Sequence, residues 1–155
     1  MLTSLYIKDL IVVQHAELNF TKGLTVLTGE SGAGKSVMIE ALNLATGGRA
    51  DTQSVRTGAK KAVVTAHFDL SHCSEALAFL EKQALTEGSE CIVRRVVNND
   101  GKSQAYCNSV RVTLNTLRDF SKCLIDINTQ RSEQTLLRKS RQLELLDDYG
   151  NLSED

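Results

Sequence analysis

Gly29, Gly34, Lys35 and Ser36 stand at a spacing that specifies a chemistry. They fit G-x-x-x-x-G-K-[ST] inside Thr25–Ser36, TVLTGESGAGKS, a loop built to hold the phosphates of a nucleotide. Gly32 and Gly34 lack Cβ, so the backbone can fold tightly and bring its N–H groups against phosphate oxygens. Lys35 has the charge and reach for the β- and γ-phosphates, and the Ser36 hydroxyl suits Mg²⁺. A helix starting here would point its positive end at the triphosphate. Gly29, Glu30, Ser31, Gly32 and Ala33 form the turn, and Gly34, Lys35, Ser36 and Val37 open the helix; together they are the candidate ATP–Mg²⁺ site.

Such a loop needs a strand leading in and a helix leading out. Leu24–Thr28 is a short run of β-formers and predicts the strand. Val37–Ala45 is apolar on nearly every side, as a helix buried between layers would be, and Gly47-Gly48 ends it. Upstream, Leu2–Val13 reads as one strand, with Leu5 and Ile7 alternating against Tyr6 and Lys8. Ala16–Phe20 alternates again, with Leu18 and Phe20 on one face, before a turn at Thr21-Lys22-Gly23. Two or three strands before the first helix predict an antiparallel β element beside the nucleotide core of an α/β P-loop NTPase.

Downstream, Gly47–Lys61 is a polar loop carrying Arg49, Arg56, Lys60 and Lys61. It reads either as a solvated surface or as a phosphate or DNA contact. Ala62–Leu70 predicts a strand, and Ser74–Gln83 a short helix with Ala76, Leu77, Phe79 and Leu80 on one face. Glu90–Val97 and Lys102–Cys107 predict a hairpin around Asn99-Asp100-Gly101, whose Asp-Gly pair suits a primed turn. Arg94 and Arg95 fall on opposite faces of its first strand, so at least one is expected to be exposed. Thr113–Phe120 predicts a helix with Leu114 and Leu117 inward, and Cys123–Ile127 a strand. Ser140–Tyr149 predicts a last helix, with Leu143, Leu146 and Tyr149 on one side and Gly150 past its end.

The chain's length of 155 residues supports one domain with a real core. Its net charge of −1 gives no bulk attraction to nucleic acid or an anionic membrane, though a local basic patch fits within a neutral total. No stretch is long and apolar enough to span a bilayer. Cys73, Cys91, Cys107 and Cys123 lie far apart with no C-x-x-C, as free thiols in a reducing cytosol would.

Hydrolysis by a P-loop needs more than the loop. A second carboxylate must hold Mg²⁺, and some group must place water. Asp69 and Asp126 each follow apolar residues, but neither is followed by a second acid, and each reads as a strand-end aspartate. There is no N-K-x-D to read guanine and no L-S-G-G-type signature.

LTVLTGESGAGKSVMIEAL, GGRAD, VRTGA, ECIVRRV with NDG, and LIDINTQ with LELLDDYG together resemble the start of the RecN family, bacterial DNA-repair ATPases related to SMC proteins. The resemblance covers nearly the whole chain. It implies an ABC/SMC-type head split in sequence: an N-terminal lobe with the P-loop, a long antiparallel coiled coil, and a C-terminal lobe with the signature motif, the Mg²⁺-binding aspartate and the catalytic glutamate. Residues 1–155 would be the N-terminal lobe, ending near the start of the coil. Glu30–Ser36 match the family's phosphate loop, and Gln130 matches its Q-loop glutamine, which implies a part in holding Mg²⁺ and the attacking water. Here the chain departs from the family pattern: I-H-G-Q-H-E-H-Q is replaced by Ile127-Asn128-Thr129-Gln130-Arg131-Ser132-Glu133-Gln134. Both glutamines remain; the histidines and the glycine do not.

The resemblance further implies Lys35 and Gln130 as catalytic residues, and Ser36 and Gln130 as metal ligands. It implies DNA, the chain's own C-terminal lobe and a second, ATP-bound head as partners, and a cytoplasmic, nucleoid-associated setting. Turnover by this lobe alone is not expected. The head lobe of another ABC or SMC-like ATPase, a small P-loop kinase and a non-catalytic nucleotide-gated module stand as alternatives.

Overall fold

Period-two alternation builds the sheet. A computed structural model describes residues 1–28 and 34–125, together with Leu146 and Gly150. Six strands lie in Met1–Ile125, the first of two compact units; the second is Asp126–Asp155. They are β1 (Leu2–Leu10), β2 (Val13–Asn19), β3 (Lys61–Asp69), β4 (Glu90–Asn98), β5 (Ser103–Cys107) and β6 (Val110–Val112). Their order is β2-β1-β3-β4-β5-β6, and every pairing is antiparallel. One face carries Leu5, Ile7, Val64, Ala66, Val93, Val97 and Ala105, all buried. Against it pack three helices: α1 (Lys35–Ala45), α2 (Ser74–Lys82) and α3 (Leu114–Lys122). They contribute Val37, Met38, Ala41, Leu44, Ala76, Leu80, Leu117 and Phe120 to a single core. On the other face the Arg94 guanidinium lies 4.5 Å from the centre of the Tyr106 ring, a cation–π contact.

The antiparallel element expected beside the nucleotide core is therefore the whole described sheet. The run Leu2–Val13 does not form one strand. Asp9 and Ile11 both adopt φ near +52°, so Leu10 turns into the core and the chain reverses at Ile11-Val12. A β-branched residue at positive φ is costly. It is held there by two backbone bonds to the loop beyond α1: Ile11 N–H to the Ser54 carbonyl (2.8 Å) and Arg56 N–H to the Asp9 carbonyl (2.9 Å).

Two more expectations change. Leu24–Thr28 is not a strand; it finds no ladder partner among the described residues, and Leu24 and Val26 are 92% and 69% exposed. Cys123–Ile125 is not extended either. The amides of Cys123, Leu124 and Ile125 bond back to Phe120 and Ser121 carbonyls, closing the end of α3. Asp126 and Ile127 lie outside the described residues.

The primed turn also sits elsewhere. At Asn99-Asp100-Gly101 only the glycine has positive φ, with Gly101 N–H bonded to the Asn98 carbonyl; this is a three-residue loop with a glycine bulge. Asn108 and Ser109, both at positive φ, make the two-residue primed turn from β5 into β6, a strand not expected from the sequence. α1 is not buried all round: Ile39 is 48% exposed. In the second unit, Leu146 and Gly150 are both helical, so Gly150 lies within a helix and not past its end, and Leu146 is exposed.

Three aspartates brace the loops. Asp51 accepts from Gln53 N–H at the 3₁₀ turn Thr52–Ser54, Asp69 accepts from Ser71 N–H and its hydroxyl, and Asp100 accepts from Lys102 N–H. These bonds favour the ionised form and hold all three carboxyls below their ordinary value. A carboxylate with a depressed folded-state pKa adds stability that is present above its unfolded value and lost as pH falls through the folded one. Urea unfolding at pH 6 to pH 2 should therefore show a steeper loss below about pH 4 in the wild type than in D51N/D69N/D100N, since asparagine keeps the acceptor and cannot titrate. Equal slopes would remove these aspartates as the cause.

Candidate nucleotide-binding site

The site is built on α1, and its two ends are treated differently. Gly34 is the N-cap residue; it has no side chain to cap with, and no acid lies in the first turn. The first amides of the helix are thus left without a side-chain acceptor from the cap, next to Lys35 and Ser36, both exposed. Donors, a positive dipole end, an ammonium and a hydroxyl converge there, and this set fits a polyphosphate with its divalent cation. A Cβ added to Gly34 would meet no atom of the described residues within 4 Å. Val37 is buried in the core, so only its backbone could face a ligand. Gly29, Glu30, Ser31, Gly32 and Ala33 lie outside the described residues, as does Gln130.

One turn along, burial raises the pKa of Glu40 above its ordinary value; Asn43 partly offsets this with a hydrogen bond, and the Asp51 charge adds to it. At the far end Gly47, at φ +87°, closes the helix as the sequence predicts. Gly48 N–H donates to the Asn43 carbonyl (2.7 Å) and Gly47 N–H to Leu44 (3.2 Å), the paired bonds of a Schellman motif. The three carbonyls past the end of α1 each receive a side chain: Ser121 Oγ on Thr46 (3.0 Å), Arg118 Nε on Gly47 (2.9 Å) and Arg95 Nη2 on Gly48 (3.4 Å).

Arg95 is 0% exposed and shares the core face of β4 with Cys91, Val93 and Val97. Its Nε and Nη1 have no hydrogen-bond partner among the described residues. Burial lowers its pKa, and the neighbouring Arg118 charge adds to that. The expectation that one of the arginine pair is exposed holds, for Arg94. The alternation Cys91, Val93, Arg95, Val97 places Arg95 inward, but no local signal in the sequence shows the clamp that Ser121, Arg118 and Arg95 form on the carbonyls of Thr46, Gly47 and Gly48.

The basic loop is pinned along one end of the sheet. Ser54 and Val55 are buried, and Asn99 N–H bonds to the Lys60 carbonyl. Arg49, Lys60 and Lys61 are exposed and Arg56 is half-buried. Arg49, Asp51, Thr52 and Gly101 line an open recess of about 350 Å³. Asp69 ends β3, the strand-end position expected from the sequence, and its bonds to Ser71 brace the loop that follows. The four cysteines are free, with Cys91 and Cys107 Sγ atoms 3.5 Å apart in the core. No helix among the described residues is long and apolar enough to cross a membrane.

A family model described as an AAA domain matches residues 4–154. The chain belongs to the AAA domain family. DNA repair protein RecN of Xylella fastidiosa (strain Temecula1) is 44% identical over 150 residues, covering 97% of this chain and 27% of that protein. DNA repair protein RecN of Vibrio cholerae is 42% identical over 150 residues, with the same shares. The chain thus spans about a quarter of the length of the curated relatives it matches. A structure solved in work on ATP-driven dimerization and DNA-stimulated activation of SMC ATPases superposes with a TM-score of 0.69, covering 96% of this chain and 98% of that chain at 22% identity. The resemblance to RecN holds, and the fold is that of an SMC-type P-loop head. AAA membership carries nucleotide binding with it.

In this AAA domain the end of α1 leaves no room for side chains. A Cβ on Gly48 would stand 2.5 Å from the Asn43 carbonyl oxygen, which the helix cannot move. Gly48→Ala should destabilise the fold by about 1–3 kcal/mol, read as a lower urea midpoint at unchanged slope. A midpoint equal to wild type would show that the turn relaxes freely.

Proposed function

We propose that this chain is the ATP-binding lobe of a RecN-like ATPase that works in the repair and recombination of broken DNA. The observation that carries the reading is the start of α1 at Gly34, a cap residue that brings no side chain, with Lys35 and Ser36 exposed beside it, in a chain that aligns with RecN over nearly its whole length. In the whole protein Lys35 would neutralise the β/γ-phosphates, the amides from Gly29 to Val37 would cradle them, and Ser36 with Gln130 would hold Mg²⁺. Bound Mg²⁺ would supply charge neutralisation on the phosphate oxygens. ATP would join two heads, and hydrolysis would part them, coupled to binding or bridging DNA in the nucleoid of the cytoplasm.

The exposed run Leu24, Val26 and Leu27, with Ile39 beside the same loop in sequence, supports a split head. These residues suit a strand and a buried helix face, and the C-terminal lobe beyond this chain would cover them. The same division explains why the second carboxylate and the signature loop are absent from the sequence. Binding without them stabilises the ground state and leaves the transition state poorly stabilised.

The test is ATP titration calorimetry and phosphate release, on this chain and on the full-length protein, each with and without Lys35→Ala. Losing a charge-assisted contact should weaken ATP binding by roughly 10- to 150-fold. Hydrolysis should appear in the full-length protein, depend on its concentration, and be absent from the chain alone. Equal affinities with and without Lys35 would sink the assignment; turnover by the chain alone at about 1 s⁻¹ would favour a self-contained kinase or ATPase.

DNA contact through Arg49, Arg56, Lys60 and Lys61 is a second expectation. If these residues neutralise DNA phosphates in the full-length protein, replacing all four with alanine should flatten the dependence of log affinity on log salt. An unchanged slope assigns them to the surface of the loop alone.

A further inference from the structure

The end of α1 remote from the phosphate loop is held more firmly than a helix terminus requires. The Schellman bonds already satisfy the carbonyls of Asn43 and Leu44. Beyond them, Thr46, Gly47 and Gly48 receive Ser121, Arg118 and Arg95 in succession, two from α3 and one from β4. Two of the three donors are guanidinium groups at the negative end of the helix dipole, where cations are favoured. One of them is fully buried with two of its nitrogens unpaired among the described residues, an arrangement that a core of pure packing would avoid.

We propose that Arg118, Ser121 and Arg95 are positioning residues for the phosphate site, fixing α1 along its axis so that Lys35 and Ser36 stand where a nucleotide needs them. The inference rests on the ATP-binding reading above. α1 is rigid over its eleven residues, and Lys35 is its first. Its axial position is not set by apolar contact alone, because side chains packed on a sheet can slide by fractions of an ångström at little cost. Hydrogen bonds to three consecutive carbonyls remove that freedom. The bond from Arg118 is the shortest of the three and comes from a side chain reaching across from the surface of α3, so it can be altered without opening the core.

The experiment measures steady-state ATP hydrolysis by the full-length protein and compares wild type, Lys35→Ala, Arg118→Ala, Arg118→Lys, Ser121→Ala and Arg95→Met. All are assayed at a temperature where circular dichroism shows them folded. Misplacing the phosphate-contacting groups should lower kcat/KM for Arg118→Ala by about tenfold or more, with KM for ATP raised. Arg118→Lys should recover most of this, since an ammonium can reach the same carbonyl. Arg95→Met keeps the core filled and should fall between the two.

If Arg118→Ala does not fold, the decision passes to Ser121→Ala, which removes a half-buried hydroxyl shared between the Thr46 and Arg118 carbonyls and should cost a few-fold in kcat/KM. Variants with kcat and KM within twofold of wild type but a lowered melting midpoint would overturn the proposal and leave these residues as helix caps only. Wild-type turnover abolished by Lys35→Ala, beside unaffected clamp variants, rejects the clamp alone. Turnover indifferent to Lys35→Ala rejects the ATP reading, and the clamp's role with it.

Discussion

A helix of eleven residues has unmatched amides at one end and unmatched carbonyls at the other, and the fold treats the two ends oppositely. At the C-terminal end of α1 two late carbonyls are taken by glycine amides, and the three carbonyls that follow the helix, Thr46 to Gly48, are taken by side chains of α3 and β4. At the N-terminal end the cap is a glycine with no side chain to offer. A glycine there costs only about a few tenths of a kilocalorie per mole relative to a serine or aspartate cap. The firm end makes the open end tolerable, since the helix does not depend on its first turn to stay in place.

The sheet enters the same balance. Its core face is ordinary in β1, β3 and β5, where small and branched apolar side chains alternate inward. In β4 an arginine occupies one of those places. Replacing a buried charge with a well-packed apolar residue is often neutral or stabilising. An arginine that reaches a carbonyl at the end of the phosphate-loop helix, with two nitrogens unpaired among the described residues, is therefore poorly explained by stability alone. Its position links the central strand of the sheet to α1 by a route that apolar packing cannot supply.

What the sequence made legible follows from how local each signal is. The strands β3 and β4, the helix face of α2, the inward Leu117 of α3 and the Gly47-Gly48 stop are all set within a few residues, and the structure has each where the sequence predicts it. Ile11 was not legible, because its positive φ is imposed by hydrogen bonds from a loop more than forty residues away. The Asp-Gly pair suggested a primed turn, but a three-residue connection needs positive φ only at the glycine. At the site, Gly34, Lys35 and Ser36 stand at the helix start where the motif places them. The clamp could be half-read from β4: alternation puts Arg95 inward, yet nothing local says that it meets Gly48 or that Arg118 meets Gly47.

The failed strand at Leu24–Thr28 carries its own physical argument. A run with strong β propensity adopts the extended ladder only where a neighbour offers amides and carbonyls in register, and where its side chains find an apolar surface. Neither is present among the described residues, and Leu24 and Val26 are left largely in solvent. The same segment leads directly into the phosphate loop, so whatever covers it would also stiffen the loop's entry. The clamp secures the other flank, at the far end of α1. A loop held on one side only can collect phosphate contacts while keeping slack in their geometry. Such slack costs little in ground-state binding and much in the alignment that phosphoryl transfer needs. In the split head proposed above, covering Leu24–Leu27 and completing the reaction machinery would be coupled events, separating binding by the lobe from turnover by the whole.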